Sequence, residues 1–161
     1  KDSTMSFHVV LVHPLIPQNT GNIARLTAAT GCYLHVIEPL AFEISDRQVK
    51  RAGLDYWPEV KLTVHPSWDA FLESQQITAT SELWFFTKKA TASYHRATFK
   101  AGCYLVYGNE SEGLPEAIHA QYQERRLLIP MDNPNIRSLN LSNAVALTLF
   151  EARRQCGMLD R

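Results

Sequence analysis

The sequence has 161 residues, 45% of them hydrophobic, and its 16 lysines and arginines are balanced by 16 acidic residues. That describes one ordinary globular domain, and a neutral chain lacks the broad basic surface that carries simple nucleic-acid binders, so any RNA contact must be local. No apolar run approaches the roughly 20 residues of a membrane span.

The N-terminus has no basic-then-apolar signal, and Cys32, Cys103 and Cys156 form no CxxC or Cys/His pair at metal-ligand spacing. A cytoplasmic protein with buried free thiols is expected, since a chain of this length builds a core without disulfides or metals. Lys1 to Thr4 precede Met5 and read as a cloning remnant, which leaves one domain at 5–161.

Short apolar runs alternate with helical patterns along the whole chain. Phe7–Val12 reads as the first strand, followed by a helix over about Gly21–Thr30, a strand at Tyr33–Ile37 and a helix at Asp46–Ala52. Next come a strand at Val60–Val64, a helix at Ser67–Ser74 and strands at Leu83–Thr87 and Tyr104–Tyr107. A helix at Pro115–Ala120, a strand at Leu127–Ile129 and a long helix at Asn140–Gln155 complete the series. The strands are nearly continuous in apolar residues, as in strands buried on both faces, which predicts an α/β fold with a mainly parallel sheet and helices on both faces. On the last helix Leu141, Ala144, Val145, Thr148, Leu149 and Ala152 form one stripe, and periodicity leaves open whether it packs on this chain or on a second subunit. Arg47, Lys50 and Arg51 share a face of the second helix and form a small basic patch.

Ligands of open α/β sheets collect at the carboxyl ends of strands, and three loops placed there are unusual. His13 to Arg25 is stiffened by two prolines, and Asn19, Thr20 and Asn22 are candidate caps of a helix start that, with Arg25 one turn in, would suit an anion. Gly108-Asn109-Glu110-Ser111-Glu112-Gly113-Leu114-Pro115 has two glycines five residues apart, neither a dinucleotide fingerprint nor a P-loop, and allows close backbone approach. Ile129 to Asn143 is a long polar loop whose alternation Ser138, Asn140, Ser142 with Leu139 and Leu141 argues for order.

Together, Asn19-x-x-Gly21-Asn22-x-x-Arg25, Gly108-x-Glu110-x-x-Gly113-Leu114-Pro115 and Ile129-Pro130-Met131 with Ser138 to Val145 resemble the SPOUT class of RNA methyltransferases. The likeness is greatest to its small ribose 2′-O members that act on the wobble nucleotide, position 34, of tRNA. The resemblance implies a trefoil knot near the C-terminus, a homodimer, and S-adenosylmethionine held by Phe86, Gly108, Ile129, Met131, Ser138 and Leu139. It further implies that Arg25 assists removal of the ribose proton, that Asn19 and Glu110 orient Arg25 or the ribose, and that Asn140 and Ser142 fix the closing loop. Whether Arg25 faces its own chain's cofactor or the partner's stays open. Glu112 stands where many such proteins have a basic or small polar residue, and Phe150 where many have tyrosine, which bears on the choice of RNA. The anticodon arm of tRNA is the expected partner; another RNA, such as ribosomal RNA, and a catalytically silent RNA-binding dimer are the alternatives.

Overall fold

The computed structural model describes residues 6–45, 47–52 and 54–160. Six strands, β1 (His8–Val12), β2 (Tyr33–Ile37), β3 (Lys61–His65), β4 (Leu83–Phe86), β5 (Tyr104–Tyr107) and β6 (Arg126–Leu127), form one sheet in the order β3-β2-β1-β5-β4-β6. Every pairing is parallel, with His8 opposite Tyr33 on one side and Tyr104 on the other. The helices are α1 (Pro17–Thr30), α2 (Arg47–Ala52), α3 (Trp68–Ser74), α4 (Glu116–Gln121) and α5 (Leu141–Gln155). The start expected for α2, Asp46, lies outside the described residues, as do Gly53 and the Lys50 side chain, while Arg47 and Arg51 are exposed.

Alternation within each strand divides the core in two, because successive side chains point to opposite faces. Val9 and Leu11 of β1 pack with Leu34, Val36, Leu105 and Tyr107 against Ile23 and Ala24 of α1 and Val145, Leu149 and Ala152 of α5. Val10 and Val12 face the other way, toward Phe71 of α3 and Ile118 of α4. Full burial on both faces explains the unbroken apolar strand sequences, and each such side chain contributes roughly 1.5–3 kcal/mol.

The stripe on α5 therefore belongs to this chain's own core: Val145 and Leu149 are fully buried. The alternative that periodicity left open, a stripe packed on a second subunit, is excluded for Val145 and Leu149, and Leu141 packs partly buried against the same core. The apolar side chains that α5 does expose are Leu147 and Phe150.

α1 begins at Pro17, four residues before the expected start at Gly21, with proline in its first turn. Proline lacks an N–H, which the first turn does not need, so the run that looked like a loop is helix. Asn19, Thr20 and Asn22 consequently lie inside the helix, and its N-cap, Ile16, makes no side-chain cap bond. Short 3₁₀ turns at Leu54–Glu59, Tyr94–Arg96 and Gln123–Arg125 carry no hydrophobic period and were not legible. No helix among the described residues is long and apolar enough to cross a membrane.

Candidate active site

The sheet order reverses direction between β1 and β5, and at the carboxyl ends of the strands around this point lies a cavity of about 740 Å³, within the range of roughly 300–1,000 Å³ usual for small-molecule sites. Its walls come from the loop after β1 (Ile16, Asn19), the loop after β5 (Gly108 to Gly113), and the run after β6 (Ile129, Met131 and 135–140). A fourth wall, Phe86 with Thr87, Lys88 and Lys89 after β4, completes it. All six residues expected to hold cofactor, Phe86, Gly108, Ile129, Met131, Ser138 and Leu139, line this one space, as do Asn19, Glu110 and Asn140.

Gly108 closes the second loop on itself. A Cβ there would stand 2.1 Å from the Gly113 carbonyl carbon and 2.3 Å from the Leu114 nitrogen. Asn109 and Gly113 exchange backbone hydrogen bonds of 3.2 Å each way across the turn, Gly113 takes φ 73°, and Asn109 Oδ1 accepts the N–H of Ser111 (3.1 Å) and of Glu112 (2.7 Å). The glycine is thus required by the loop's own backbone: the close backbone approach that the two glycines allow is that of the loop to itself, and a side chain at 108 would disturb the fold as well as a ligand.

A polar chain ties the first, second and third loops together. The Glu110 carboxylate accepts the backbone N–H groups of Leu15 (2.8 Å) and Ile16 (3.1 Å), and Asn19 Nδ2 donates to it at 3.1 Å. Asn140 Nδ2 donates to Asn19 Oδ1 at 3.2 Å, while Asn140 Oδ1 caps α5 by accepting the N–H of Ser142 (2.9 Å) and Asn143 (3.4 Å) and the Ser142 hydroxyl (2.5 Å). Two expectations change as a result. The anion at the entry to α1 is the chain's own Glu110, not a phosphate, and Glu110 and Asn19 hold backbone and one another rather than Arg25.

Arg25 does not line the cavity. It is exposed, with its guanidinium 4.8 Å from the centre of the Tyr56 ring. Ser142 also lies off the cavity and acts through Asn140. Residues passed over in the sequence reading are Tyr107, buried and hydrogen-bonded to Thr148, and His119, Lys88 and Arg137 on the wall. Phe86 stacks on Tyr107 with ring centres 4.9 Å apart, which holds the apolar end of the cavity rigid. Tyr107 is a strand residue that reads as core, and nothing in the α4 sequence marks His119.

Between Ile129 and Leu139 the chain makes one backbone–backbone hydrogen bond among the described residues, Ile136 N–H to Asn133 O at 3.2 Å. Apart from the Asn135 N–H, which Asn133 Oδ1 accepts at 2.9 Å, and Pro130 and Pro134, which have none, the other peptide groups of this run are available to a ligand, and beside them stand apolar side chains able to cover a flat ring. That donor set, backbone groups plus apolar walls, fits S-adenosylmethionine. Among the described residues no group of three His, Cys, Asp or Glu side chains is placed to hold a metal ion.

Comparison with known proteins gives a consistent picture. A family model described as SpoU rRNA Methylase matches residues 6–150. A tRNA (cytidine(34)-2'-O)-methyltransferase of Saccharophagus degradans is 47% identical over 152 residues, 94% of this chain and 96% of that protein. One of the same name from Burkholderia cenocepacia is 45% identical over 152 residues, again 94% and 96%. A solved structure described as giving insights into the 2-OH methylation of C/U34 on tRNA superposes with TM-score 0.89 at 46% identity, covering 96% of this chain and 99% of its own.

Proposed function

The chain belongs to the SpoU rRNA Methylase family, and from that premise we propose that it transfers a methyl group from S-adenosylmethionine to the ribose 2′-OH of the wobble nucleotide of tRNA, position 34, a cytidine or a modified uridine. The observation that carries the reading is that the four cavity walls lie inside the length shared with the cytidine-34 enzymes, at 45–47% identity. S-adenosylmethionine, when bound, supplies a methyl already activated on a sulfonium. The protein is then asked mainly to align the ribose oxygen and to ease the passage of its proton to solvent water as the oxygen–methyl bond forms and the sulfur–methyl bond breaks.

Gly108 and the backbone from Ile129 to Leu139 cradle the cofactor, and Phe86, Met131 and Leu139 exclude water from it. Glu110, Asn19, Asn140 and Ser142 are positioning residues, since their hydrogen bonds to one another and to backbone fix the loops. Lys88 and Arg137, for which no ion pair or hydrogen bond to another described residue is found, meet phosphates of the anticodon arm. Arg25 serves the ribose at the cavity of a second copy in a homodimer. Its exposure and its distance from the cavity of its own chain support that placement. An arginine is a weak base, with a pKa above about 12, so it acts by holding the 2′-oxygen and an adjacent RNA phosphate as the proton leaves. The cytoplasm, where tRNA is found, is the compartment this assigns.

The proposal extends to the backbone. β6 sits at the sheet edge beside β4, yet α5, which follows it, packs on α1 over β1. The run from Leu128 to Asn140 must cross the ends of β4 and β5 between the two, and we assign it the threading of a trefoil knot. Pulling the unfolded chain from both ends in optical tweezers should yield less length than 161 free residues give; the full length would rule the knot out.

Mapping ribose methylation in tRNA from cells with and without the gene tests the function. Loss confined to nucleotide 34 is expected, and an unchanged tRNA map with a lost methyl in ribosomal RNA would replace the substrate.

A further inference from the structure

α4 brings one buried, titratable side chain to the cavity wall. His119 is 4% exposed, yet it lines the cavity, as Lys89 and Ile129 do. Its Nδ1 accepts a hydrogen bond from Arg126 Nη1 at 3.4 Å. An arginine can only donate, so Nδ1 must be the bare nitrogen, and the proton of the neutral ring stands on Nε2. Nε2 has no partner among the described residues. Behind the ring, the Arg126 Nε–H is also buried without a partner, so the pair is not a closed structural network.

The surroundings are cationic. Lys89, itself 3.3 Å from Glu116, and Arg126 both disfavour a charge on His119, and burial acts in the same direction and more strongly; Glu116 opposes them. These are the charged groups facing the ring from α4, from the run after β4 and from β6. They keep the imidazole neutral, with an Nε2–H that no other described residue takes, on a cavity wall where positive potential favours an acceptor with negative charge.

We propose that His119 is a cofactor-binding residue: its Nε2–H, fixed in that tautomer by Arg126, donates a hydrogen bond to an acceptor on S-adenosylmethionine. The inference rests on the functional reading given above and goes further in assigning a side-chain donor to a cofactor otherwise met by backbone and apolar groups. Two acceptors on the cofactor have the right chemistry, a ring nitrogen of the adenine and the carboxylate of the amino-acid end.

Calorimetric titration with S-adenosylhomocysteine, the stable product, separates the two claims. Failure of the wild-type protein to bind it overturns the methyltransferase reading and this assignment with it. If the wild type binds, His119→Leu should weaken affinity about tenfold or more, the usual scale for a hydrogen bond with a charged or strongly polarised partner. His119→Gln, whose amide can both accept from Arg126 and donate to the ligand, should stay within about threefold of wild type. Equal affinity in a folded His119→Leu variant would overturn the assignment.

Repeating the titration with 5′-methylthioadenosine, which lacks the carboxylate, tells the acceptors apart. A loss seen with both ligands places the acceptor on the adenosine, and a loss confined to S-adenosylhomocysteine places it on the carboxylate. A second measurement needs no variant. Long-range ¹⁵N–¹H NMR of the wild type should find His119 protonated on Nε2 and that N–H shifting as ligand is added. Protonation on Nδ1, or an Nε2–H unmoved at saturation, would contradict the proposal.

Discussion

At the scale of single residues, the site is held by small groups with specific backbone duties. Gly108 is the clearest: the 2.1 Å approach of a virtual Cβ to the Gly113 carbonyl carbon means that even alanine must push two backbone segments apart. Gly108→Ala should therefore lower the melting temperature and cofactor affinity together, checked by thermal melting and calorimetry on one sample. A normal melting temperature with lost binding would return the glycine to the role of ligand contact. Motif resemblance singled out Gly108, Glu110, Asn19 and Asn140, which line one cavity, and Ser142, which bonds to Asn140 beside it. It could not tell that Glu110 neutralises the entry to α1, because sequence spacing does not say which N–H a carboxylate will reach across 94 or 95 positions. His119 was illegible for a related reason. A histidine in a short helix reads as surface, and only packing brings it to the wall.

Among the elements, β1, β2 and β3 share a feature that their apolar patterns hide. His8 Nδ1 lies 2.9 Å from His35 Nε2, and His35 Nδ1 lies 3.0 Å from His65 Nε2, a chain of imidazoles across three strands with Tyr33 and Tyr104 stacked on its His8 end. His35, between the other two, must be neutral to donate to one neighbour and accept from the other. Burial lowers His8 to about 4 and, helped by the charges of its two histidine neighbours, His35 to about 3, and it also lowers His65. In the unfolded chain these groups bind protons near pH 6.5, so the unfolded state holds more protons below that pH. Stability is then fully present above about 6.5 and falls as pH drops toward 4, by up to about 1.4 kcal/mol per pH unit for each histidine. Between pH 6.5 and 5, ordinary carboxylates remain ionised, so melting temperature against pH should fall in the wild type and fall less steeply in His35→Asn or His65→Asn. Parallel curves for wild type and both variants would show that the chain does not couple to folding. The strands themselves were legible to within a residue or two: burial leaves a distinctive apolar run in β1, β2, β4 and β5, while β3, mostly exposed, still carries Leu62, Thr63 and Val64. The early start of α1 was not, because Pro17, one of the two prolines that suggested a loop, sits where a helix tolerates it.

For the whole molecule, the parallel sheet and its two-faced core were legible from alternation, whereas the strand order, the threading and the second subunit were not, since none of these leaves a period in the sequence. If Arg25 serves a partner's cavity, then Arg25→Ala and Ser138→Trp, each inactive alone, should complement when unfolded and re-paired together. About a quarter of wild-type activity is expected, from hybrid dimers with one working site each; a mixture that stays inactive beside an active re-paired wild type would place Arg25 at its own chain's cavity. Arg25→Ala alone should leave cofactor affinity intact and slow methyl transfer by ~10²- to 10⁴-fold, the range of general acid–base assistance. The central claim is that one oxygen of one nucleotide receives the methyl. The most direct measurement is transfer of labelled methyl from S-adenosylmethionine to a matched pair of tRNAs, one normal and one with a single 2′-deoxynucleotide at position 34. The account predicts label in the first and none in the second, and equal labelling of both would contradict it.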